Sequence, residues 1–124
     1  VLVDAERRGD GALERSISDS DDVAIAAITV AELEVGIEMA DGPRRRKTRR
    51  EFVSAVLEAV SVESYGLEVA RAHGALLAHT RRAGSPRGAH DLIVAATARA
   101  TGREVLSADE TTFADLPDVE VRKP

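Results

Sequence analysis

Apolar and polar positions alternate along the chain in blocks of strand and helix character. Val23 to Ile28 reads V-A-I-A-A-I after the turn-like Asp19-Ser20-Asp21-Asp22, and a short continuous apolar run of this kind predicts a strand buried on both faces. Thr29 then offers a capping hydroxyl. Val30, Leu33, Val35 and Ile37, set among Glu32, Glu34 and Glu38, predict a helix running to about Met39. Asp41-Gly42-Pro43 breaks the pattern, after which Phe52, Val53, Val56, Leu57 and Val60 recur at spacings of three and four, predicting a helix with one buried stripe. Val60 to Val62 suits a brief second strand. Leu67, Ala70, His73, Leu76 and Leu77 repeat at helical spacing until Gly84-Ser85-Pro86. Asp91 precedes L-I-V-A-A, a helix apolar almost all round and therefore central, which Gly102 closes. Val105 and Leu106 open a third strand, and Val119 to Val121 alternate as a fourth at an edge.

Strands alternating with helices imply an α/β fold on a parallel sheet, with helices on both faces. The 124 residues show no internal repeat and no linker, so residues 1–124 read as one domain. Hydrophobic residues at 44% and charged residues at 31% are a globular balance. No apolar run approaches the roughly 20 residues that cross a bilayer, and Val1 to Asp10 lacks the segments of a signal peptide. Cysteine is absent, which excludes thiolate nucleophiles and cysteine-ligated metal and fits a cytoplasmic location. The net charge of −5 argues against a uniformly basic nucleic-acid surface. With only Phe52, Tyr65 and Phe113 aromatic, base stacking is a poor route to RNA, and phosphates are the better one. No serine elbow, P-loop or dinucleotide fingerprint occurs.

In an open α/β sheet, ligands bind beyond the carboxyl ends of the strands. Three acids are expected there: Glu32 in the first turn of the helix after Val23–Ile28, Asp91 at the start of the apolar helix, and Asp109 two residues after the strand Glu104–Ser107. Taken singly, Glu32 and Asp91 are equally explained as helix-capping acids and Asp109 as a turn residue. Brought together, they would raise one another's pKa unless a cation neutralised them. Hard oxygen donors without cysteine or a paired histidine motif point to Mg²⁺ or Mn²⁺ rather than zinc. His73, His79 and His90 form no i, i+4 pair and read as packed or surface histidines.

The segments T-V-A-E-L-E-V-G (Thr29–Gly36), H-D-L-I-V-A-A-T-A (His90–Ala98) and S-A-D-E-T-T-F (Ser107–Phe113) resemble the PIN-domain family, and more narrowly its VapC toxins. The resemblance runs from Val1 to about Val121, and D-L-I-V-A-A-T-A is its most specific block. It implies a PIN-like three-layer domain with a short parallel sheet. It also implies Mg²⁺- or Mn²⁺-dependent endoribonuclease activity, RNA as substrate, a cognate antitoxin and a homodimer within a toxin–antitoxin complex. Asp91 matches the family's direct metal ligand, and Asp109 and Glu32 complete the catalytic and metal-binding set.

The opening departs from that pattern. Such domains begin with an apolar strand ending in an acid, followed by Thr or Ser and later by a run like V-L-V-D. The chain starts on Val1-Leu2-Val3-Asp4, so the first strand and its acid are expected to lie before residue 1. The alternative, with Asp4 as that acid, is opposed by Ala5-Glu6. A chain lacking the acid would be impaired, serving as an RNA- or antitoxin-binding module.

Arg44 to Arg50 reads R-R-R-K-T-R-R, six basic residues in seven. Basic side chains at a helix amino end oppose its dipole, so helix stability does not explain them. Arg44, Arg45, Arg46 and Lys47 are therefore candidates for RNA phosphates, against a plain solvated helix start. Arg87, with Arg81 and Arg82, lies just upstream of Asp91 and is a competing candidate.

Overall fold

The computed structural model describes residues 1–4, 21–109 and 111–123. Asp19 and Ser20, half of the expected turn, and Ala5-Glu6 lie outside them. Among the described residues, strands β1 (Leu2–Val3) and β2 (Ala24–Ala26) are followed by helices α1 (Ala27–Glu38) and α2 (Gly42–Ala59). Strand β3 (Ser61–Glu63), helices α3 (Leu67–Ala83) and α4 (Ala89–Thr101), and strands β4 (Val105–Leu106) and β5 (Val121–Arg122) complete the order. The five strands form one sheet in the order β3-β2-β1-β4-β5. Every pairing is parallel, as the helix-separated strand runs require.

The first strand is not missing. Val1-Leu2-Val3 contributes β1, which occupies the centre of the sheet, with Leu2 in register with Ala24 on one side and Val105 on the other. The Leu2 amide donates to Glu104 O at 2.8 Å and the Asp4 amide to Leu106 O at 2.9 Å. Two neighbouring strands thus define a strand too short to be evident from its own residues, and Asp4 is the acid at its carboxyl end.

Strand alternation distributes apolar side chains to two clusters. Leu2, Ala24, Ala26 and Val105 join Leu76, Leu92, Val94, Ala95, Ala96, Ala98, Phe113 and Leu116 in the main core. Val1 and Leu106, with Val3 and Val23 beside them, make a smaller one. Leu2 and Leu106 are both fully buried, as expected for a parallel sheet covered on both faces. Helix α4 contacts β1, β2 and β4 and packs along α3. Its run Val94–Ala98 is entirely buried, which explains why it is apolar all round, and Gly102 ends it at φ 66°. No described helix is long and apolar enough to cross a membrane.

Two local expectations are corrected. Helix α1 starts at Ala27 rather than after Thr29, because β2 passes into it without a loop. Ala26 takes the cap position without a side-chain bond, and Thr29 is buried inside the first turn. In α2 the apolar stripe is not buried as a whole: Val53 is covered, while Phe52 and Leu57 are exposed. Among the described elements α2 packs chiefly on α1, and one helical neighbour covers only part of a stripe.

Candidate functional site

Strand ends and helices deliver acids from four parts of the chain. Asp4 follows β1, Glu32 lies on α1 beyond β2, Asp91 is in the first turn of α4, and Asp109 follows β4. Glu32 is the sixth residue of α1, past the first turn, which contains no acid. A capping role therefore does not account for it. The cap of α4 is Gly88, again without a side-chain bond, so Asp91 does not cap its helix either.

Asp91 senses the other acids. Burial, then the charge of Glu32, then that of Asp109 hold its carboxyl above its ordinary value, with His90 opposing. Acids 59 and 18 residues away in sequence thus lie near enough for their charges to act on the Asp91 carboxyl. Gly88 makes room for it: a Cβ placed there would lie 3.0 Å from Asp91 Oδ2.

Each neighbouring acid has its own support. His90 Nδ1 lies 2.5 Å from Glu32 Oε1, and since a carboxylate only accepts, the Nδ1–H is the donor. This bond spans 58 residues and no spacing rule reveals it. Thr111 Oγ1 donates to Asp109 Oδ1 at 2.8 Å and Thr112 Oγ1 to Oδ2 at 2.7 Å. The Thr112 hydroxyl, then Thr111, hold the Asp109 carboxyl below its ordinary value. Ser107 Oγ accepts from the Asp109 amide at 3.0 Å and donates to Asp4 Oδ2 at 2.8 Å. The S-A-D-E-T-T segment already contains this support in its hydroxyls, and V-L-V-D contains Asp4.

The donor set suits a hard divalent cation: it is all oxygen, it concentrates negative charge on Asp91, and it contains no soft ligand. Among the described residues, no three His, Asp or Glu side chains converge as ligands of one ion. Glu32 is turned to His90 and Asp109 to its two threonines.

The basic candidates are placed differently. Arg44, Arg45, Arg46 and Lys47 are exposed at the start of α2, whose first turn has no acid. Of the four, Lys47 alone makes an ion pair among the described residues, with Glu51 at 4.0 Å. Farther along the same run, Arg49 Nη1 lies 3.4 Å from where a Cβ on Gly36 would stand, and Gly36 is one turn beyond Glu32 on α1. The basic run therefore borders the helix that carries Glu32. Arg87 instead directs its guanidinium at three backbone carbonyls. Of the other histidines, His73 Nδ1 lies 2.8 Å from the Tyr65 hydroxyl, away from these acids in the chain.

Known proteins resemble the chain in sequence and in fold. The chain is 26% identical over 104 residues to a ribonuclease VapC from Rickettsia bellii, covering 84% of this chain and 78% of that protein. The structure of DNA-bound VapBC from Salmonella typhimurium superimposes with a TM-score of 0.86 at 21% identity, covering 98% of this chain and 96% of that one. VapBC-5 from Mycobacterium tuberculosis, a member of the VapBC family of toxin–antitoxin systems, gives 0.77 at 22% identity and covers 99% and 97%. The PIN domain model matches residues 1–119, from the central strand with Asp4 through the Asp109 loop, and the chain belongs to the PIN-domain family.

Proposed function

We propose that the protein is a metal-dependent endoribonuclease, the toxin of a toxin–antitoxin pair, cleaving RNA phosphodiester bonds in the cytoplasm. The observation that carries this reading is the state of Asp91, a partly buried carboxyl under the charge of Glu32 and Asp109. An acid cluster of this kind costs stability when unneutralised, and a divalent cation is the partner that offsets it. Asp91, Asp109 and Glu32 would hold Mg²⁺ or Mn²⁺, and Asp4 joins the set from the central strand. When bound, the cation supplies charge that lowers the pKa of attacking water and offsets charge on the phosphoryl oxygens. His90 holds Glu32, and Thr111 and Thr112 hold Asp109, so these carboxylates would turn from their present partners to share one cation. Arg44, Arg45, Arg46 and Lys47 supply phosphate contacts from α2.

A protein partner is supported by the surface of the α1–α2 pair, where Val35, Met39, Phe52 and Leu57 are exposed. A cognate antitoxin with a basic segment reaching Glu32 or Asp91 suits both that apolar strip and the acid cluster. The homodimer is part of the same proposal. The alternative reading as an impaired binding module rests on a missing first acid, and Asp4 at the end of β1 is an acid in that position.

The test is cleavage of single-stranded RNA by the full chain with and without Mg²⁺ or Mn²⁺, beside Asp91→Asn. Metal-dependent cleavage that disappears in the variant is expected. Cleavage that survives chelation, or none with either cation, would refute the proposal.

A further inference from the structure

Arg87 stands between two segments that carry acids. It immediately precedes Gly88, the cap of α4, and so lies four residues before Asp91. Its Nε donates to Thr112 O at 3.0 Å, its Nη2 to Ala114 O at 3.2 Å and its Nη1 to Ser85 O at 2.8 Å. Thr112 and Ala114 belong to the loop after β4, whereas Ser85 is in the α3–α4 turn. Thr112 is also the residue whose hydroxyl donates to Asp109 Oδ2.

We infer that Arg87 is a positioning residue, clamping the loop after β4 against the α3–α4 turn so that Thr111 and Thr112 hold the Asp109 carboxylate in place. The inference rests on the nuclease reading for its consequence, though the clamp itself needs no metal. A planar guanidinium presents donors in fixed directions and can satisfy three carbonyls from two segments at once; an ammonium is a point donor and cannot span them. The loop has a separate anchor in Phe113, which lies between the two clamped carbonyls and is 1% exposed. Loss of Arg87 therefore leaves the loop attached to the core. What it frees is the backbone on either side of Phe113, including the residue that fixes Asp109.

This role differs from binding RNA phosphates, for which charge alone would largely suffice. Arg87→Lys keeps the charge and removes the fork, so the two roles make opposite forecasts for that variant.

The experiment uses the full chain as parent, Arg87→Lys, Arg87→Ala, Asp109→Asn and the Arg87→Ala/Asp109→Asn double variant. Backbone amide hydrogen exchange without metal should quicken several-fold across residues 107–116 in both Arg87 variants, with α4 beyond its first turn unchanged. Mn²⁺ affinity, read by electron paramagnetic resonance of the free ion, should fall roughly tenfold or more in both, the usual scale for residues that orient a ligand. In the Asp109→Asn background, Arg87→Ala should change Mn²⁺ affinity by less than about twofold, because the two residues act as one unit. Unchanged exchange across the loop overturns the clamp. So does an equal drop in Mn²⁺ affinity with and without the Asp109 carboxylate. Parent-like behaviour of Arg87→Lys, with a reduced salt dependence of RNA binding in Arg87→Ala, would place Arg87 on phosphates instead. A loop loosened in the Arg87 variants, with a parent that binds no Mn²⁺, would uphold the clamp and refute the nuclease reading.

Discussion

Ser107 and Asp4, 103 residues apart, are joined by a hydrogen bond of 2.8 Å from the serine hydroxyl to the carboxylate. The same hydroxyl accepts from the Asp109 amide, so one buried oxygen fixes the acid of the central strand relative to the loop of another acid. Parallel pairing of β1 with β4 makes this link possible by bringing their carboxyl ends together.

Ser107→Ala should therefore lower both stability and activity. The hydroxyl is fully buried and bonded to a charged group, so its removal should cost about 1–3 kcal/mol. Denaturant melts of parent and variant measure the first effect and RNA cleavage the second. Equal midpoints would show that the serine link does not hold the two segments.

Gly88→Ala separates the position of Asp91 from the fold. The backbone at Gly88, φ −59° and ψ 144°, is open to alanine, and the cap change should cost about 1 kcal/mol or less. The new Cβ would stand 3.0 Å from Asp91 Oδ2, closer than ordinary van der Waals approach, so the carboxylate is displaced by a few tenths of an ångström. Cleavage at limiting Mg²⁺ should fall roughly tenfold while melting changes little. Retained cleavage would mean that Asp91 tolerates displacement.

Legibility in the sequence follows how local the cause is. D-L-I-V-A-A-T-A is apolar all round because α4 is buried on every side over Val94–Ala98, a property carried by its own residues. The turn at Gly102 is legible for the same reason, and the edge strand is legible in place though it runs Val121–Arg122 rather than Val119–Val121. β1 escapes such a reading because two residues become a strand only through partners supplied by Ala24 and Val105–Leu106. Thr29 resembles a cap because a hydroxyl after a strand usually is one; a direct strand-to-helix passage instead buries it. Periodicity identifies the apolar face of α2 without revealing what covers it, and Phe52 and Leu57 are left exposed. The three acids can be picked out from their positions, but the His90–Glu32 bond and the threonine cradle of Asp109 exist only in three dimensions.

The basic start of α2 makes a forecast about salt. Replacing Arg44, Arg45, Arg46 and Lys47 together by Gln should weaken single-stranded RNA binding and flatten its dependence on salt, by about 0.7 in logarithmic slope for each phosphate no longer neutralised. Mn²⁺ affinity should stay as in the parent, because these side chains are exposed on another helix from Asp91. Filter binding at several salt concentrations checks this. An unchanged slope would leave the run as a solvated helix start.

Asp91→Asn should make the metal-free protein more stable at neutral pH while abolishing cleavage. Burial, Glu32 and Asp109 raise the Asp91 carboxyl in the folded chain, so over the carboxylate range the folded state holds more protons than the unfolded one. This group's contribution to stability therefore falls as pH rises through that range, and above the folded pKa its charge is a standing penalty. The amino end of α4 favours a negative charge and opposes this penalty in part. Asn keeps the shape and never carries the charge. The difference in melting temperature, Asn minus Asp, should therefore be near zero at about pH 3, where both side chains are neutral, and positive at about pH 7. Mg²⁺ should reverse the order, because binding to the folded state alone stabilises the parent in proportion to the logarithm of cation saturation, and the variant lacks the charge that binds it. Melting curves of both chains at the two pH values, with chelator and with excess Mg²⁺, test both signs. A variant less stable than the parent at neutral pH in chelator would show that Asp91 is held by structure rather than strained for metal.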